Sequence, residues 1–259
     1  MKERKFAPKV ANKTKKIMAK KQTYGVPYSG SKNKLAEDII ALLPKGKRFV
    51  DLFAGGCAIT HCALLSDKWE SILNNDLFPL RGQTLFRKAA EGEYLKEDYY
   101  RIVGKQEFYE KRYVEPHMVA VWGWNGDPLY MGQKWYDDVV VKRGITDLKH
   151  LPKDVFDPTS RLLRLQRLSG LDLSKVVFAQ MDYADYEHQE GDVVYCDPPY
   201  ANTDCSYDGK VFDTDAFWEW VRTRNYPVYV SEYKSPDDFV SIWSKTHHTM
   251  SAPKDARRG

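Results

Sequence analysis

Little in this chain speaks for chemistry built on sulfur or metal. It has only four cysteines, Cys57, Cys62, Cys196 and Cys205, in two loose pairs without zinc-type spacing. Reduced thiols are therefore expected, with no metal site and no disulfides. No apolar run approaches the roughly 18 residues that a membrane span needs. The N-terminus lacks the apolar centre of a secretory signal, so a soluble, cytoplasmic protein without membrane contacts is expected. Internal repeats are missing, and so is G-x-G-x-x-G, the spaced glycine pattern of dinucleotide enzymes, which argues against a nicotinamide cofactor.

Charge is present but uneven. Residues 1–22 hold nine Lys or Arg against one acid, Glu3, while the whole chain carries a formal net charge of only +4; the remainder is mildly acidic. A basic arm of this kind reads as a flexible segment that touches phosphates and releases counterions, or as a solubilising tail. The 259 residues, 42% of them hydrophobic, suffice for one main domain with a subdomain inserted. Seventeen tyrosines and seven tryptophans would suit stacking on bases, although cores and surfaces use aromatics too.

The hydrophobic pattern alternates between strand and helix. "RFVDLF" (48–53) reads as a strand ending at "AGG", "CAITHCALL" (57–65) has helical spacing, "SILNND" (71–76) is a second strand, and "LFPLRGQTLFRKAAEG" (77–92) the next helix. After Gly92 the rhythm is lost: "EYLKEDYYRIVGKQEFYEKRY" (93–113) looks helical and "WGWNGDPLYMGQKWYDD" (122–138) loop-like and aromatic. It returns with the helix "TSRLLRLQRLSG" (159–170), the strands "KVVFAQ" (175–180) and "DVVYC" (192–196), the helix "TDAFWEWVRTR" (214–224) and the strand "YPVYVS" (226–231). The expectation is an α/β fold, a parallel, doubly wound sheet with a mainly helical insertion. The tail "THHTMSAPKDARRG" begins like a strand and turns polar and basic, so either a truncated chain or a different sheet edge is expected.

One junction stands out. In "VVYCDPPY" (193–200) an apolar strand runs into Pro198 and Pro199, which have no backbone donor and must end it. Asp197 and Tyr200 are thereby presented at the carboxyl end of a strand, where open α/β sheets place ligands. Asp197 and the carbonyl of Pro198 offer two acceptors for one exocyclic amine, and Tyr200 a face for stacking. "DLFAGG" (51–56) is a glycine turn from strand to helix, either a nucleotide cradle or plain structure. Asp76 closes the second strand, as a ribose-binding acid or a helix cap. "PYSGSKNKLAEDII" (27–40) sets Tyr28 and Lys32 beside a Ser-Gly turn that opens a helix.

In this order, with an insertion before the last, "PYSGSK", "FVDLFAGG", "NND" and "VVYCDPPY" resemble the Dam-type DNA adenine methyltransferases, the D12-class, α-group amino-methyltransferases; the likeness runs from about residue 24 to 235. It implies a Rossmann-like S-adenosylmethionine-dependent methyltransferase sheet with helices on both faces, formed by residues 23–85 and 169–259, a target-recognition insertion over 86–168 and a basic arm over 1–22. Carried over, Tyr28, Lys32, Asp51, Phe53, Gly55, Gly56, Asp76, Asp182 and Asp197 would contact S-adenosylmethionine, and Asp197, Pro198, Pro199 and Tyr200 would hold the extruded target base. Cys57 stands where many relatives have a third glycine, and "GWNGDPLYMGQ" does not align with the family's Asn- and Gly-rich loop, so GATC recognition is not implied.

The resemblance implies methyl transfer to the N6 amine of an adenine flipped from double-stranded DNA, by a monomer or weak dimer in a bacterial or phage-infected cell. Arg161, Arg164 and Arg167 are spaced to share one helical face toward phosphates, or to form a solvated surface; with Trp124 they are the expected nucleic-acid contacts. Two rivals remain: an RNA base amino-methyltransferase, because "DPPY" also resembles a motif of enzymes that modify ribosomal RNA, and a DNA-binding decoy without turnover.

Overall fold

The computed structural model describes residues 22–124, 127–200, 206–207 and 210–245. The expected basic arm, but for Gln22, and the tail after residue 245 lie outside them, as does Cys205. In chain order the helices are α1 (Ala36–Leu42), α2 (Ala58–Ser66), α3 (Leu85–Ala90), α4 (Lys105–Lys111), α5 (Pro116–Trp122), α6 (Gln133–Tyr136), α7 (Thr159–Gln166) and α8 (Thr214–Arg222). The strands are β1 (Arg48–Asp51), β2 (Ser71–Asn75), β3 (Val176–Ala179), β4 (Asp192–Cys196), the short antiparallel pair β5 (Ser206–Tyr207) and β6 (Lys210–Val211), and β7 (Val228–Val230).

Five strands form one sheet in the order β3-β2-β1-β4-β7, every pairing parallel. The two-residue period of a strand sorts its side chains between two cores. Phe49, Ile72, Val193 and Tyr195 pack with α1 and α2 on one face. Val50, Leu73, Val194 and Cys196 pack with Phe217, Trp218, Trp220 and Val221 of α8 on the other. Burial on both faces explains why these strands read as unbroken apolar runs. The architecture is the Rossmann-like one, with helices on both faces.

A third core lies beyond the carboxyl ends of the strands. Phe86, Tyr94, Phe108, Met118, Trp122, Leu162 and Leu165, from the stretch expected to be the insertion, pack with Leu85 and, from the sheet side, Val26, Ala54 and Cys57. The helical reading of 93–113 needs correction: short 3-10 turns at Glu93–Leu95 and Glu97–Tyr100 precede an extended stretch, and only Lys105–Lys111 is α-helix. Ile102 and Val103 enter the core there, the Ile102 amide donates to the Thr146 carbonyl, and Gly104 is extended before the helix; tertiary contacts override local propensity. Likewise the helix expected from Leu77 starts with a π-type turn at Leu80–Thr84.

Candidate active site

β1 and β4 are neighbours, with β2 and β3 on one side and β7 on the other, so the strand order reverses between them. In open α/β sheets, the crevice at the carboxyl ends of such a pair is where ligands bind. On the β1 side it is walled by the turn from Leu52 to Cys57. This turn is gripped on both flanks by glycines for which no other residue would fit. A Cβ on Gly82 would lie 1.7 Å from the Gly55 carbonyl oxygen, and one on Gly25, whose φ is +63°, 2.2 Å from the Gly56 carbonyl oxygen. Tyr28 lies against Gly55 and Gly56 so closely that a Cβ on Gly56 would strike its own Cβ at 2.5 Å. Cys57 takes the left-handed conformation, φ 56°, before α2, and the turn stays intact with Cys57 fully buried.

Three carboxylates converge on this turn. Asp51 ends β1 and is buried; its Oδ2 accepts from Thr60 Oγ1 at 2.8 Å, and Thr60 in turn accepts from Asn74 Nδ2 at 2.6 Å. Its Oδ1 is buried with no hydrogen-bond partner among the described residues. Burial, opposed by Thr60 and aided by the neighbouring Asp197 and Asp76, pushes the Asp51 carboxyl up to about 7. Asp76 holds the turn: its Oδ2 accepts from the Gly55 amide at 2.7 Å and its Oδ1 from the Phe78 amide at 2.8 Å. Burial raises its pKa against these two amides.

On the β4 side, the side chain of Asp197 is 16% exposed and forms an ion pair with Lys32, Nζ to Oδ1 2.7 Å. Burial raises the Asp197 pKa, while Lys32 and a hydrogen bond from Tyr200 pull it back. The same ammonium lies 4.5 Å from the centre of the Tyr200 ring, a cation–π distance. Tyr200 meets Tyr233 edge-on, with centroids 4.5 Å apart. Lys32 sits at the start of a 3-10 turn, Lys32–Lys34, capped by Ser31. Thus "PYSGSK" and "DPPY", 165 positions apart from Lys32 to Asp197, meet in one ion pair.

Residues 28–119 match the family model described as D12 class N6 adenine-specific DNA methyltransferase. Over these residues the chain is similar to D12-class methyltransferases. It is also similar to a protein of Escherichia coli named Retron Ec67 DNA adenine methylase, 25% identical over 249 residues that cover 88% of this chain and 83% of that protein. The D12 match holds Tyr28, Lys32, Asp51, Gly55, Gly56 and Asp76; "DPPY" lies outside it, joined to it through the Lys32–Asp197 pair.

The remaining candidates fall elsewhere around the crevice. Phe53 leaves the turn toward the opposite face of the sheet and packs against Tyr183, Phe212 and Phe217 at centroid distances of 5.4, 5.8 and 5.7 Å. Asp182 is exposed and caps a short turn by accepting from the Ala184 amide at 2.9 Å; the preceding Met181 is tied to Asn75 at the end of β2. Pro198 is buried, and Pro199 half-buried. Trp124 is exposed on the insertion.

The three arginines do not share one surface. Arg161 Nη1 donates to the Gly123 carbonyl at 2.6 Å, and Arg164 donates to the carbonyls of Tyr24 and Gly25. Arg167 alone of the three is exposed. Phosphate-facing roles for Arg161 and Arg164 are therefore corrected: both guanidinium groups are engaged inside the protein, where their donors satisfy carbonyls.

Several supports of the crevice escaped the sequence reading. Thr60 and His61 lay inside a helix read for its apolar spacing, and Gly25 and Gly82 stood alone without a motif. Gln83 Nε2 bonds the carbonyls of Asn74 and Ala179, each at 2.9 Å, bracing the ends of β2 and β3. A signal for Asn74 and Asn75 existed: two amides in a row closing an apolar strand need buried partners.

Proposed function

We propose that the chain transfers the methyl group of S-adenosylmethionine to the exocyclic N6 amine of an adenine extruded from double-stranded DNA. The observation that carries the reading is the meeting of Asp197, Lys32 and Tyr200 at the β1/β4 crossover point, beside the glycine turn of a D12-class region. DNA adenine methylation is the activity that the family match and the similar methylase support.

The residues present fit the donor. When bound, S-adenosylmethionine supplies a methyl group already activated by its positively charged sulfur. A cationic ligand suits a crevice with three carboxylates, one of which, Asp51, keeps a buried oxygen without a hydrogen-bond partner among the described residues and is raised to about 7 partly by the other two. Tyr28, Lys32, Asp51, Phe53, Gly55, Gly56, Asp76 and Asp182 are the residues assigned to holding it.

The catalytic work falls to Asp197, Pro198, Pro199 and Tyr200. The Asp197 carboxylate and the Pro198 carbonyl accept the two N–H bonds of the target amine, which turns the nitrogen lone pair out of conjugation with the ring. As the nitrogen gains its fourth bond and positive charge, the same two acceptors stabilise it by preorganised electrostatics. The surplus proton leaves toward Asp197, whose raised pKa makes it a better acceptor than an ordinary carboxylate. Tyr200 stacks on the base and Pro199 fixes its approach. No nucleophilic cysteine is needed, and Cys196 is buried with its thiol pKa pushed well up by burial.

An amine inside a duplex cannot reach this site, so flipping costs roughly a few kcal/mol in unstacking. We assign the offsetting DNA contacts to the insertion over 86–168, with Trp124 and Arg167, and to the basic arm over 1–22. The reading is tested by incubating the protein with radiolabelled S-adenosylmethionine and either unmethylated DNA or RNA, with Asp197→Ala alongside. Label recovered as N6-methyladenine from DNA, and lost in the variant, is the expected result. Label from RNA would move the protein to the RNA enzymes; DNA binding without any label would make it a decoy.

A further inference from the structure

The segment of residues 24 to 26 is held from two sides. From the insertion, Arg164 of α7 donates Nε–H to the Gly25 carbonyl at 3.0 Å and Nη2–H to the Tyr24 carbonyl. From the catalytic side, the Gly25 amide donates to His61 Nδ1 of α2 at 3.0 Å, and the Val26 amide to the Gly56 carbonyl at 2.9 Å. Two residues further on, Tyr28 covers Gly55 and Gly56. A single path of hydrogen bonds therefore runs from the last helix of the insertion to the turn assigned to the methyl donor.

Arg164 is chemically suited to this place. A guanidinium presents a planar fork of donors with no acceptor, and here the fork closes on two successive carbonyls of a buried segment. It pairs with no carboxylate among the described residues, and burial lowers its pKa to about 10. A partly buried cation that forms no ion pair among the described residues and spends its donors on two backbone carbonyls serves geometry.

We propose that Arg164 is a positioning residue of the donor site: it fixes the segment from Tyr24 to Tyr28, and so the Gly55–Gly56 turn, to the insertion. The inference rests on the methyl-transfer reading, and two separate measurements keep their failures apart. Binding of S-adenosylmethionine by calorimetry, without DNA, is compared for the wild-type chain, Arg164→Gln, Arg164→Lys and Arg167→Gln; duplex affinity is measured for each across a salt series.

Arg164→Gln should weaken S-adenosylmethionine binding about tenfold or more while the slope of log Kd against log salt stays as in wild type, and Arg164→Lys should recover only part of the loss because an ammonium cannot reproduce the fork. Arg167→Gln should do the reverse, lowering the salt slope by about one. Wild-type cofactor affinity in Arg164→Gln, or a flattened salt slope, would overturn the proposal. Should Arg164→Gln not fold, Arg164→Lys decides by itself, since it retains the charge a phosphate would need. If even the wild-type chain binds no S-adenosylmethionine, the methyl-transfer reading fails; hydrogen exchange at the Gly25 and Val26 amides then judges the clamp, which predicts faster exchange in Arg164→Lys and is refuted by unchanged rates.

Discussion

At the carboxyl ends of β1, β2 and β4, Asp51, Asp76 and Asp197 are largely shielded from water, and burial raises all three. Along the insertion, acids and bases meet near the surface: Arg101 with Glu107, Lys111 with Glu107 and Glu115, Arg143 with Asp138 and Asp154, Lys149 with Glu97. Exposed pairs of this kind contribute about 0–1 kcal/mol each, so the insertion is held by its apolar core and its charges are replaceable. The crevice is the opposite case. Its carboxylates are poised by burial, and Asp51 is raised further by its neighbours Asp197 and Asp76.

The largest effect expected from this contrast is at Asp197. Asp197→Ala should lower methyl transfer by about 10²–10³-fold or more, the scale on which one preorganised electrostatic group acts, and leave duplex affinity nearly unchanged; single-turnover rates and a binding isotherm check both halves. Wild-type rates would remove the carboxylate from the mechanism. Next comes Gly82→Ala. Its Cβ would sit 1.7 Å from the Gly55 carbonyl oxygen, backbone against backbone. A loss of about 1–3 kcal/mol in urea unfolding is expected, as for overpacked cores. An unperturbed variant would show that the turn is not gripped as described.

The two regions were also unequally legible. The sheet was readable because strands buried on both faces leave unbroken apolar runs, and the ends of those runs, Asp51, Asp76 and Asp197, were visible where the pattern stopped. The insertion was not, because Ile102 and Val103 leave helical spacing to enter a core built from distant residues, and Gly104 is no stronger a signal than any other glycine. Within the crevice, the groups that touch a ligand crevice lay in motifs, whereas those that hold it in shape, Thr60, His61, Gln83 and Arg164, are single residues on helices or turns whose partners lie in other parts of the sequence. Arg164 shows the limit: helical spacing placed it with Arg161 and Arg167, but only the fold reveals the two carbonyls it faces.

Stability against pH should separate the regions more finely. Burial lowers His61 beside the crevice and His117 in the insertion from their ordinary value of about 6.5 to about 4. The unfolded chain takes those protons first as pH falls from about 6.5 to about 4, so stability drops through that window. Asp51, raised to about 7, acts in the opposite sense, because its folded form keeps a proton that the unfolded form has released. Urea midpoints at pH 5, 6 and 7 should therefore rise with pH more steeply in Asp51→Asn than in wild type, and less steeply in His61→Asn. Identical slopes in all three would mean that neither group is poised by burial.

The smallest effect should come from the best-formed pair of the insertion. Arg101 clasps Glu107 with two bonds, of 2.6 and 2.9 Å, and Lys111 adds a third contact at 3.1 Å; together, Arg101 first, they hold the Glu107 carboxyl down at about 2. A depressed carboxylate adds stability that is present above about 4.5 and lost as pH falls toward 2. Solvent screens this pair, so Glu107→Gln at neutral pH should lower stability by less than about 1 kcal/mol, and the difference should shrink further in 1 M salt, where the screening length is about 3 Å. A loss of several kcal/mol, insensitive to salt, would place this pair among the buried, coupled charges of the crevice and erase the distinction between the two regions.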